Sequence, residues 1–376
     1  MENAKLIYGC DTNSFYATGL EMHDPYVWYQ DTKGQTHIIL SALEVERGRK
    51  NAHVNHVHAS GDICQELKDA GTPQTMATII AWLVDQNRPQ TVEVPGDFTA
   101  LMMKELSALG YHIKPMVGPF FAQRAIKTSE EIEKIRYCQQ INEEAFRAAF
   151  EVFRKAKINK DATLKYKGEL LTAEFIQGTM NSVLAGYGAV SFNGGPIVSC
   201  GAQGADPHER GHGVLTAHEF IIIDCFPMGG NFYNGDLTRT ILKGTPTDWH
   251  LETYEAVKKA QQLGLDTIKA GVTGQAVHDA VDQSLIADGY TTGEDENGVP
   301  YGFFHGTGHA VGLDVHDDGP GISPRNTNPL EKNMVVTVEP GVYYPEKGGV
   351  RIEDIVAVTK NGIDNLTTLP KELVIK

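Results

Sequence analysis

Hydrophobic and polar positions change period along this chain, and the changes divide it. Two β-rich runs, Tyr26-Val-Trp-Tyr29 and Thr36-His-Ile-Ile-Leu40, flank Asp31-Thr-Lys-Gly-Gln35 and predict a hairpin. Ser41 opens a helix expected over Ala42 to Arg49. Further helices are expected at Met76 to Gln86 and Phe98 to Leu109, with a strand at Thr91-Val-Glu-Val-Pro95 between them. This alternation predicts an α/β domain over residues 1–123. Near residue 124 the texture changes. Thr128-Ser-Glu-Glu131 is a capping box, and Ile132, Ile135, Ile141, Ala145, Phe146, Ala149 and Phe153 follow at near-helical spacing. A long amphipathic helix therefore opens a second domain, residues 124–376, with the boundary between Pro119 and Thr128. Beyond it, helices at Trp249 to Ala270 and Gly274 to Asp288 mix with strands and glycine-rich turns, without a solenoid-like period or a low-complexity tract.

Two domains also agree with the length of 376 residues, well above the size of one ordinary domain. Lys and Arg number 33 against 48 Asp and Glu, a formal net charge of −15. That balance argues against a nucleic-acid or anionic-membrane partner, since either needs a basic patch. Five cysteines, an odd number with no CxxC, predict a reduced, cytoplasmic protein rather than a disulfide framework. Met1 to Asp11 lacks the apolar core of a signal peptide, and runs such as Thr78 to Val84 and Phe220 to Ile223 are too short to span a bilayer.

The chain carries no GxxxxGK[ST], GxSxG, HExxH or strand-following GxGxxG, which removes several chemistries. His53, His56 and His58 cluster in the first domain without a carboxylate or cysteine nearby, and are expected to be a solvated polar stretch. More informative is Phe220-Ile-Ile-Ile-Asp224, an apolar strand ending in a carboxylate. Twelve residues on, Asp236 stands where a returning hairpin strand would bring it to the same face. His305, His309 and His316 lie among glycines that let backbone approach a ligand. Glu339 and Glu353 interrupt strand-like runs, Met334 to Val338 and Val350 to Val358. A carboxylate there is costly unless paired or coordinated, and pairing with Arg239 or Arg351 is the alternative to coordination. Asp224, Asp236, His309, Glu339 and Glu353 form an oxygen-rich set with one imidazole and no thiolate, which suits Mn, Co, Fe or Zn in a reactive site. Four negative charges match two divalent ions, and two ions about 3.5–4 Å apart are a device for making hydroxide and polarising a carbonyl.

Asp236-Leu-Thr-Arg-Thr240, Gly306-Thr-Gly-His309-x-x-Gly312-Leu-Asp-Val-His316, Val338-Glu-Pro-Gly-Val-Tyr343 and Gly348-Gly-Val-Arg-Ile-Glu353-Asp354 resemble the pita-bread metallopeptidases, in the branch of Xaa-Pro dipeptidase, aminopeptidase P and creatinase. Asn13-Ser-Phe-Tyr16, Thr18-Gly19, Glu44-x-Glu46-Arg47 and Arg124-x-Ile-Lys127-Thr-Ser-x-Glu131-Ile132 extend the likeness over nearly the whole chain. The resemblance implies a creatinase/prolidase-like first domain and an α+β catalytic domain with a curved, largely antiparallel sheet covered by helices. It implies two divalent ions, Mn foremost, with Asp236 and Glu353 bridging them, Asp224 on one, and His309 and Glu339 on the other. Glu339 would shuttle the proton between a bridging water and the leaving nitrogen. His208 would stand near the scissile carbonyl, His305 and His316 would line the substrate side, and Arg351 would orient substrate or neighbouring ligands. The implied reaction is hydrolysis between an N-terminal residue and proline, in a homodimer. Asp224 and Asp236 stand one residue further apart than is usual in that family, and the addition is expected in Met228-Gly-Gly-Asn231. Two other readings share the fold: a creatinase-like or other small-amide hydrolase or lyase, and a non-catalytic binding relative. The intact ligand set argues against both.

Overall fold

The computed structural model describes residues 3–191, 194–345 and 347–376. They form two compact units, one ending at Ala122 and the other running Gln123–Lys376.

The first unit is built on six strands: β1 (Asn3–Gly9), β2 (Tyr26–Gln30), β3 (Thr36–Leu40), β4 (His56–Ala59), β5 (Thr91–Val94) and β6 (Ile113–Pro115). Their order is β4-β3-β2-β1-β5-β6, antiparallel where β2 pairs with β1 and β3, and parallel elsewhere. Both faces are apolar because successive side chains alternate. Leu6, Val27, Tyr29 and Ile39 pack with α3 (Ser60–Asp69), α4 (Met76–Val84) and α5 (Ala100–Ala108). Ile7, Trp28, Ile38 and Leu40 pack the other way, with residues of α1 (Thr12–Thr18) and α2 (Val45–Asn51). The helix expected from Ala42 begins instead at Val45, because Ser41–Glu44 closes a turn in which Glu44 and Val45 both donate to the Ser41 carbonyl.

The histidine cluster meets its sequence-based expectation in part: His53 and His56 are exposed, and His58 is half-buried. His53 stands apart, against Gly19, while His56 and His58 stack with His37 of β3. The parallel β3–β4 register, His37 opposite His56, brings them together. His37 is buried, and its Nδ1 lies 3.2 Å from His58 Nε2. Burial, reinforced by His56 and His58, pushes His37 down to about 4. The folded state therefore favours the neutral ring, so its stability is fully present above the unfolded pKa of ~6.5 and is lost as pH falls toward 4. Thermal melts between pH 7 and pH 4.5 should show this loss, on the order of 3 kcal/mol at most, shallower in His37→Phe; equal slopes would contradict it.

In the second unit, α6 (Ser129–Lys155) carries the expected capping box: the Thr128 hydroxyl accepts from Glu131 N–H, and Glu131 accepts from Thr128 N–H. With α7 (Ala173–Gly186) it covers an antiparallel sheet of Ile197–Cys200, Phe220–Cys225 and Leu237–Leu242. Ile221, Ile223, Leu237 and Ile241 face these helices, and burying each such side chain contributes ~1.5–3 kcal/mol. α8 (Asp248–Thr267) and α9 (Gly274–Ala287) pack against a second set of strands, Val335–Val338, Gly341–Tyr344, Gly348–Arg351 and Asp354–Val358. The run expected as one strand from Val350 to Val358 is broken at Ile352-Glu353. Val338 pairs with Asp354 and Gly341 with Arg351, so Glu339-Pro340 faces Ile352-Glu353 across a gap in the ladder. Pro340 has no N–H to give that ladder, and Glu353 N–H turns instead to the carbonyl of Thr238.

Candidate metal centre

Strand parity gathers the carboxylates. Ile221, Ile223 and Cys225 point toward α6 and α7, which leaves Asp224 on the opposite face. Asp224 is paired with Thr238, and Asp236 lies two residues before Thr238, hence on that same face and diagonal to Asp224. The connection between them closes in a turn where Gly229 N–H donates to Tyr233 O at 2.9 Å and Phe232 takes φ 68°, so the register survives the long loop. Glu339 and Glu353 enter from the break in the second ladder. His309 comes from a loop laid against Val335–Val338: its N–H donates to Thr337 Oγ1 at 3.0 Å, and Thr337 N–H returns to its carbonyl at 2.9 Å. Gly308 makes that approach feasible, because a Cβ there would sit 2.0 Å from Thr337 O. The loop from Gly312 to Asp317 is pinned by Asn234, which donates to Gly312 O at 3.0 Å and Leu313 O at 2.8 Å. Lys127, in turn, stands 3.2 Å from Asp317.

Donor atoms of Asp236, His309 and Glu353 lie within 4.8 Å of one another, the one such group among the described residues. Glu339 Oε1 stands 3.4 Å from His309 Nε2, and Asp236 Oδ2 stands 3.5 Å from it. Asp224 lies outside the tight group. Its Oδ2 accepts from Arg351 Nη2 at 2.9 Å, while its Oδ1 has no partner. Glu353 is similar: Oε2 accepts from Thr238 Oγ1 at 2.9 Å and Oε1 is unpartnered, although the residue is only 1% exposed.

The electrostatics of this group call for added positive charge. Burial, then repulsion from Glu353, Asp224 and Glu339, holds Asp236 well above the usual carboxylate range. Burial and the charges of Glu339 and Asp224 do the same to Glu353, and burial pushes Glu339 up to about 7. Burial also lowers His309. Its Nδ1 faces Ala310 O at 3.1 Å, so Nδ1 carries the proton and the Nε2 lone pair points at two carboxylates. A lone pair and four carboxylates converging in a buried space, with two oxygens unpartnered, fit divalent cations.

The remaining sequence candidates surround this group. Arg351 also donates to Tyr343 Oη at 2.9 Å, and Tyr343 Oη lies 2.9 Å from His305 Nε2. Burial lowers His305 to about 4, so it is neutral. The His316 ring lies 4.1 Å from that of His309. His208 is exposed, with its N–H on Asp206, yet it is close enough to depress both His305 and His316. Arg239 pairs with the Asp354 carboxylate at 2.9 Å and meets Glu353 at its backbone carbonyl, not its carboxylate. Sequence reading missed Tyr343, Thr238 and Thr337. A signal was available for Thr337, the one polar position in an apolar strand and two residues from Glu339, whereas Thr238 is followed by Arg239 and Thr240 and does not stand out.

Residues 133–360 match the model of metallopeptidase family M24. The uncharacterized peptidase YqhT of Bacillus subtilis is 37% identical over 256 residues, covering 67% of this chain and 65% of that protein. The Xaa-Pro dipeptidase of Pyrococcus furiosus is 34% identical over 258 residues, covering 66% and 65%. The matched stretch thus spans slightly less than two thirds of these curated relatives. Among solved structures, the Xaa-Pro dipeptidase from Bacillus anthracis superposes with a TM-score of 0.81 at 28% identity, covering 99% of this chain and 94% of that one.

Proposed function

This chain belongs to metallopeptidase family M24, and we propose that it hydrolyses the bond between an N-terminal residue and proline, using divalent metal. The observation that carries the reading is the convergence of Asp236, His309 and Glu353, with Glu339 against His309 and Asp224 beside them. These five residues would hold two ions, Mn foremost, with Asp236 and Glu353 serving both. When bound, such ions lower the pKa of a water and polarise a scissile carbonyl.

The other roles belong to the protein. Glu339, 3.4 Å from His309, would take a proton from the attacking water and deliver it to the leaving nitrogen. Neutral His305, with His316 and His208, lines the substrate side. Arg351 steadies Asp224 and, through Tyr343, His305. A bond to proline has no N–H to offer, so its recognition depends on the ring and the carbonyl. The relative named a dipeptidase favours a dipeptide substrate. We further assign the first unit as a creatinase/prolidase-like domain, the second as a curved pita-bread sheet covered by helices, and the working form as a cytoplasmic homodimer. No helix among the described residues is long and apolar enough to cross a membrane.

A hydrolysis panel tests this. Xaa-Pro dipeptides should be cleaved faster than Xaa-Ala dipeptides and Xaa-Pro-Xaa tripeptides. Activity should vanish after chelation and return with Mn or Co. Full activity in verified metal-free protein, or equal rates on Xaa-Ala and Xaa-Pro, would overturn the assignment.

A further inference from the structure

The buried face of α6 carries more than apolar side chains. Gln139, Asn142 and Glu143 lie on it, each essentially without exposure. A glutamine sealed in a helix face must satisfy its carboxamide inside the protein, and Gln139 spends it on one peptide. Its Nε2 donates to the Asp236 carbonyl at 2.8 Å, and its Oε1 accepts the Asp236 N–H at 3.0 Å. Asp236 precedes the strand Leu237–Leu242 and therefore has no ladder partner there. The side chain imitates one register position of a strand that is missing. Gly235 permits the approach, because a Cβ there would lie 3.0 Å from Gln139 Oε1 and 3.2 Å from the Cys138 backbone.

The second Gln139 N–H goes to Thr367 Oγ1 at 2.9 Å. That hydroxyl also accepts the N–H of Ile355 at 2.9 Å, two residues beyond Glu353. One turn along α6, Asn142 donates to the carbonyl of Cys225, next to Asp224.

We propose that Gln139 is a positioning residue of the metal centre, one that fixes the Asp236 peptide relative to the strand Asp354–Val358 that follows Glu353, so that both carboxylates present the spacing the ions need. The proposal rests on the metal-dependent reading above. It assigns Gln139 no contact with substrate or ion. Loss of an outer partner of this kind typically costs about 10–100-fold in metal affinity.

The test is calorimetric titration of Mn²⁺ into chelator-stripped protein, run well below the metal-free melting temperature. Gln139→Met keeps the length and removes every hydrogen bond, and should weaken Mn²⁺ binding about 10–100-fold. Ile141→Val trims the apolar core of the same helix without touching Asp236, and should bind as the wild type does. Thr367→Val should weaken binding several-fold and Thr367→Ser should restore it, a pair that decides the matter if Gln139→Met does not fold. Wild-type affinity in a folded Gln139→Met, or in Thr367→Val, overturns the positioning role. An equal loss in Ile141→Val also overturns it, since general softening would then suffice. A wild-type protein that takes up neither Mn²⁺ nor Co²⁺ overturns the metal-dependent reading, and this proposal with it.

Discussion

Glu339→Gln is expected to lower kcat by about 10²–10⁴-fold, the usual contribution of positioned proton transfer, while most of the metal stays bound. Glu339 is the carboxylate proposed to move the proton. In the metal-free protein burial pushes it up to about 7, and it lies 3.4 Å from His309 and 3.3 Å from the Thr337 hydroxyl. Glutamine keeps the size and one ligating oxygen but can neither accept nor release the proton. Substrate affinity should change little, because the loss falls on the transition state. Metal content and steady-state kinetics on one preparation check it. If kcat stays within a few-fold of wild type, the shuttle lies elsewhere, even if the five proposed ligands hold metal.

Asp236→Asn should fail in a different way. Asp236 is 4% exposed and belongs to the tight group with His309 and Glu353. Removing its charge takes away a ligand proposed to serve both ions, so metal affinity should fall by more than the about 10–100-fold typical of losing an outer partner. Activity should follow occupancy. The metal-free protein should move the opposite way. After burial, Glu353, Asp224 and Glu339 hold the Asp236 pKa up, and an amide in place of that carboxylate relieves the repulsion. Metal-free Asp236→Asn should therefore melt above metal-free wild type, yet gain less from added Mn. Scanning calorimetry with and without Mn separates the two effects, and a variant that still binds Mn tightly would remove Asp236 from the centre.

Much of this centre was legible because its carboxylates stand where carboxylates are expensive. Asp224 ends an apolar strand, and Glu339 and Glu353 interrupt two more. The corner that joins the latter pair was not legible. Both sides of the break are apolar, so Val350 to Val358 carries the period of one strand, and only the change of pairing partner divides it. Gln139 was hidden for another reason. The spacing of Ile135, Ile141 and Ala145 defines the buried stripe of α6, and a polar residue within it cannot be told from the helix surface without knowing what lies opposite. The His37 stack needed the parallel β3–β4 pairing, a contact between segments separated by a whole helix. Local period is visible in one sequence, whereas the partner across a fold is not.

The hydrogen bond between Gln139 and Thr367 spans 228 positions of the chain. Closing so long a loop has an entropic cost that grows with its length, and contacts of this kind slow folding. During synthesis, at about 5–20 residues per second, α6 would leave the ribosome well before the segment that completes its polar face exists. Its buried Gln139, Asn142 and Glu143 would wait in water until then. The first unit, whose sheet closes within its own residues, is under no such delay. The side chain that holds the Asp236 peptide thus gains its last partner only once Thr367 has been made, late in synthesis.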